Sequence, residues 1–132
     1  MTLQQALDAM IAALQPVVDE IPGLQVGFWR PNPTPPSIAI YPGDPFQEGS
    51  AFGLGEKRVY WTVRAVVSNV DPAAGPELLL RLLDTNDPAS VEAALDTCDA
   101  VIGNEDTVSG LRNYTDVGPD LVGAEWRVEM FV

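Results

Sequence analysis

The chain has 132 residues and a mass of 14.2 kDa, the size of one ordinary domain. Nineteen acidic residues stand against seven basic ones, giving a net charge of −12, and there is no histidine. That balance argues against phosphate-neutralising nucleic-acid binding and against attraction to an anionic membrane, both of which need a basic face. Without histidine, Ser-His-Asp, Cys-His and histidine–zinc chemistry are absent, and the single Cys98 can make neither an intrachain disulfide nor a cysteine metal cluster.

Thr2 and Gln5 read as a capping box, and Leu3, Ala6, Leu7, Met10, Ile11 and Leu14 recur at helical spacing. Pro16 ends or bends this first helix, while Val17 and Val18 continue its apolar face. The opening residues lack the basic start and apolar run of a secretory peptide, and no stretch reaches the roughly 18–20 apolar residues of a membrane span. The expectation is a protein made in a reducing cytoplasm.

Pro22-Gly23 is a turn, and Leu24 to Trp29 alternates as a strand. The run Pro31-Asn32-Pro33-Thr34-Pro35-Pro36 connects, because it suits neither a helix nor an inner strand. Ser37 to Tyr41 is a short second strand, followed by an expected long loop from Pro42 to Gly55. Arg58 to Ser68 is the strongest strand, with Val59, Trp61, Val63, Ala65 and Val67 on one face and Arg58, Tyr60, Thr62 and Arg64 on the other.

Asp71-Pro72 signals a second helix with Leu78, Leu79, Leu82 and Leu83 buried, and Gly75-Pro76 is a later alternative start. Asp87-Pro88 repeats the signal for a third helix carrying Val91, Ala94 and Leu95. The pattern blurs from Cys98 to Ile102. Val108 to Val117 reads as a strand, Gly118-Pro119-Asp120 as a turn, and Ala124, Trp126, Val128 and Met130 alternate in a closing strand. The order α-β-β-β-α-α-β-β predicts one α+β domain over residues 1–132. Its largely antiparallel sheet of four to five strands carries the N-terminal and two central helices.

Several constellations invite chemistry. Gly49 to Lys57 is glycine-rich, but Glu56 precedes the lysine and a strand follows, unlike a phosphate loop. Asp84 to Asp87 resembles the start of a calcium loop, yet Ala89 and Leu95 stand where glycine and glutamate belong, so Asp87 reads as a helix cap. Glu125 and Glu129 share a strand face with Arg127 between them. An acid–base pair there, or one of Asp99 and Glu105, needs a carboxyl raised by burial, whereas a cation keeps both ionised. The solvated reading has these acids facing Arg64 or Arg58 on a neighbouring strand.

Arg30-x-x-Pro33-x-x-Pro36 matches an SH3 ligand formally and a rigid connector structurally. Cys98 has no basic neighbour and reads as a packing residue. Trp61 and Trp126 fall on apolar strand faces, while Trp29 falls opposite Val26 and Phe28, the candidate for an exposed contact anchor. No catalytic, cofactor or metal residue emerges, and no enzyme is expected.

As a whole, the chain resembles the tail terminator proteins of long-tailed, siphovirus-type bacteriophages. The resemblance rests on the strand Arg58–Val67, Asp71-Pro72 with its leucine-rich helix, Asp87-Pro88-Ala89-Ser90-Val91-Glu92-Ala93-Ala94-Leu95, the turn at Gly103 and the closing segment Gly123–Val132. It implies a structural virion protein that caps the tail tube as a hexameric ring, stops tail polymerisation and joins the tail to head or neck proteins. DNA would pass through the lumen without specific binding. Trp29 and Arg30 at the end of the first strand, Pro33 and Pro36 in the connector, and Phe46, Phe52 and Leu54 in the loop are then the expected contacts to subunits or tube. Another neck or tail component, such as a head-closure, tail-completion or tail-tube protein, is the alternative.

Overall fold

The computed structural model describes residues 2–29, 34–49, 57–68, 70, 75–98, 101–102, 112–113 and 121–131. Helix α1 (Leu3–Ala13) starts at the expected capping box: the Thr2 hydroxyl accepts from the Gln5 amide at 3.0 Å, and the Thr2 amide donates to the Gln5 side chain at 2.8 Å. Its buried stripe is Ala6, Leu7 and Met10, and a Leu or Met taken fully out of water contributes about 1.5–3 kcal/mol. The chain bends at Leu14 and continues as α2 (Gln15–Glu20), with Pro16 in the first turn, where its missing N–H costs nothing. Val17 is fully buried, so the apolar face does run on past the bend.

Strand β1 (Gln25–Phe28) and strand β2 (Ser37–Gly49) pair in parallel, Gln25 beside Ser37 and Phe28 beside Ile40. Strand β3 (Lys57–Ser68) is antiparallel to β2 on one side and to β6 (Leu121–Phe131) on the other. The outer edge of β6 carries two short antiparallel pieces, β4 (Val101–Ile102) near one end and β5 (Arg112–Asn113) near the other. The molecule is therefore α+β, with a mixed sheet ordered β1-β2-β3-β6-β4; among the described strands only the β1–β2 pairing is parallel.

Two expectations about β2 are corrected. It is 13 residues long, and Pro42 to Gly49 belong to it instead of to a loop. Beyond Ile40, β1 has ended, so among the described strands β2 has no outer partner there. A proline at 42 or 45 then forfeits no ladder bond on that side. The register with β3 shifts between Pro42 and Gln47, which absorbs the break in alternation.

Helix α3 (Pro76–Leu83) uses the later start, with Gly75 as cap and Pro76 at the first turn; Asp71 and Pro72 lie outside the described residues. Helix α4 (Val91–Leu95) starts later than expected. Its cap is Ser90, whose hydroxyl accepts from the Ala93 amide at 3.1 Å. Asp87 instead folds the preceding turn, accepting the Ala89 amide at 2.8 Å on its carboxylate while its carbonyl takes the Ser90 amide. Pro88 is one residue after Asp87, so a helix begun there would hold Ala89 and Ser90; both are buried in the turn instead.

Among the described residues, helices α1 to α4 cover one sheet face. Ala6, Leu7, Met10, Leu14, Val17, Leu79, Leu82, Val91 and Leu95 form one cluster with Ile38, Ile40, Val59, Trp61, Val63, Ala65, Trp126, Val128 and Met130. Trp126 stands opposite Val63 in the ladder, and both are buried. The side chains of Tyr41, Tyr60, Thr62, Arg64, Glu125, Arg127 and Glu129 alternate onto the other face.

Candidate interaction surface

The face opposite the helices is built from the even positions of β3 and the odd positions of β6. Register sets Arg64 directly across from Glu125, with Nε and an Nη nitrogen both at 3.0 Å from one carboxylate oxygen. Arg58 reaches diagonally to Glu129 at 2.7 Å. The Arg127 guanidinium lies over the Tyr60 ring at 4.6 Å, and that of Arg64 lies 5.0 Å from the centre of the Tyr41 ring. Glu125 and Glu129 thus meet the two arginines expected for a cross-strand charge ladder. Asp99 and Glu105 lie outside the described residues.

At the β1 end, this ladder runs into aromatic residues. Tyr41 lies 6.3 Å from Trp29, Trp29 lies 6.1 Å from Phe28, and Phe28 lies 6.2 Å from Trp61. Phe28 and Trp61 belong to the helix-covered face by register, and Tyr41 to the opposite one, so the rings wrap around the end of β1 from one face to the other. The Trp29 amide still donates to the Ile40 carbonyl at 2.9 Å, continuing the ladder one residue past β1. Its φ of 49° then turns the chain out of the sheet. This left-handed backbone is an outlier for so bulky a residue.

The result is a tryptophan held on two neighbouring rings yet 58% exposed, beside a phenylalanine that is 42% exposed. Trp29 is where the alternation of β1 placed it. The exposure of Phe28 was not legible, because its parity assigns it to the core face. It lies at the margin of that face, where β1 is the last of the described strands.

The other expected contact residues divide. Phe46 is half-buried, its ring perpendicular to that of Trp61 at 5.1 Å, and acts as the rim of the core more than as a free anchor. Pro36 is half-buried, follows a cis peptide bond from Pro35, and its carbonyl accepts from the Gln25 amide at 3.3 Å. Arg30, Pro33, Phe52 and Leu54 lie outside the described residues.

A comparison with protein-family models and with curated proteins finds no match for this chain. Among the described residues, no group of three or more Cys, Asp or Glu side chains could hold a metal ion, and no helix is long and apolar enough to cross a membrane. Cys98 is half-buried and its Sγ donates to the Leu95 carbonyl at 3.0 Å, a packing position on the helical layer.

A second polar cluster escaped sequence reasoning. Arg81 of α3 spans Asp87, at 3.3 Å through both Nε and Nη, and Glu20 at the end of α2, at 3.5 Å. The hydrogen bond from the Ala89 amide, then that from Arg81, holds the Asp87 carboxyl below its ordinary range. The hydrogen bond to Asp87, and then its negative charge, raise Arg81. All three groups are solvent-accessible, and the cluster ties α2, α3 and the turn before α4 together. Glu20 is 61 residues from Arg81, so no local pattern announces the contact.

Proposed function

We propose that this chain is a structural virion protein, a tail terminator of long-tailed bacteriophages. It closes into a hexameric ring on the end of the tail tube, stops further polymerisation and presents a surface to head or neck proteins. The observation that carries this reading is the Phe28–Trp29 pair, two large aromatic side chains displayed at the end of β1, the outermost of the described strands on that side. Exposed aromatics of this kind are the usual anchors of protein contacts. A backbone outlier at the more exposed of the two marks the position as one that the surroundings hold in place.

The order of helices and strands and the acidic composition agree with the same reading. A closed ring requires head-to-tail contacts between unlike surfaces of each copy. An interior dominated by carboxylates repels phosphates, so a chain carrying −12 lets DNA slide through a lumen without adhering. Function of this kind is carried out by surfaces, and the protein works in the virion after synthesis in the host cytoplasm.

Light scattering coupled to size exclusion, followed by electron microscopy with purified tail tubes, tests the proposal. A ring, either free or seated at tube ends, is the expected result. A strict monomer that also leaves tube ends bare would refute it, and self-assembly into long cylinders would indicate a tail-tube protein instead.

A further inference from the structure

We draw no further inference here: the strongest candidate, the exposed Phe28–Trp29 pair at the end of edge strand β1, belongs to the surface already described, and nothing in the structure shows what covers it.

Discussion

Arg64 and Glu125 face each other squarely across β3 and β6, and a single carboxylate oxygen receives two nitrogens of the guanidinium at 3.0 Å. The side chains are only 29% and 17% exposed, so this pair is better shielded than a surface ion pair. Arg64→Ala leaves a part-buried carboxylate without this cation and should cost about 1–2 kcal/mol, against up to about 1 kcal/mol for a fully solvated pair. Glu125→Ala and the double variant complete a cycle, read by urea denaturation. A coupling of about 1 kcal/mol is expected, and strictly additive effects would show that the two side chains do not interact.

Trp29 offers a test that separates backbone from surface. Its φ of 49° suits glycine, so Trp29→Gly relieves a backbone cost of about 1–2 kcal/mol while losing ring contacts with Phe28 and Tyr41. Trp29→Ala loses those contacts and keeps the cost. The glycine variant should therefore be the more stable of the two in thermal or urea unfolding, by about 1 kcal/mol. Both variants should fail to cap tail tubes. Capping by both at wild-type efficiency would remove Trp29 from the proposed contact.

Asp87 makes acid stability measurable at one site. Its folded carboxyl lies below the unfolded one, so the stability it contributes is complete above the unfolded pKa, about 3.9, and disappears as pH falls through the lower folded value. Urea midpoints measured from about pH 6 downward should fall through that window in the wild type. The fall should be shallower in Asp87→Asn. Arg81, raised from an already high value, stays charged throughout and adds no slope there. Identical slopes in the two proteins would mean that the Asp87 contacts do not persist in solution.

Gly43 sits where the β2–β3 register slips. A Cβ there would meet the Tyr60 Cβ at 2.9 Å and the Tyr60 carbonyl oxygen at 3.0 Å, atoms held by the central strand. Gly43→Ala should then cost about 1–3 kcal/mol by forced displacement. A loss of midpoint without change in slope is the expected unfolding signature. An unchanged midpoint would show that β2 yields easily at its irregular stretch.

The fold was legible wherever a period of 3.6 or 2 had enough residues to declare itself. The capping box at Thr2, the stripe through Met10, and the alternation of Arg58 to Ser68 and of Ala124 to Met130 all appear as read. Strand parity alone put Arg64, Arg58, Glu125 and Glu129 on one face, and the ion pairs followed. Proline misled at β2, because its cost depends on whether a neighbour requires the missing N–H, and that neighbour is set by β1. At Asp87-Pro88 a sound cap signal lost to Ser90, since the turn before α4 buries Ala89 and Ser90.

What the sequence determined by itself is local: the cap of α1, the strand positions that alternate, the absence of histidine and the net charge. The tertiary structure alone decided the parallel pairing of β1 with β2, the reach of β2 to Gly49 and the Arg81 link to Glu20. It also decided that Phe28 ends up half in solvent. Each of these depends on which distant segment lies alongside, and burial of the shared apolar face sets that arrangement once for the whole sheet.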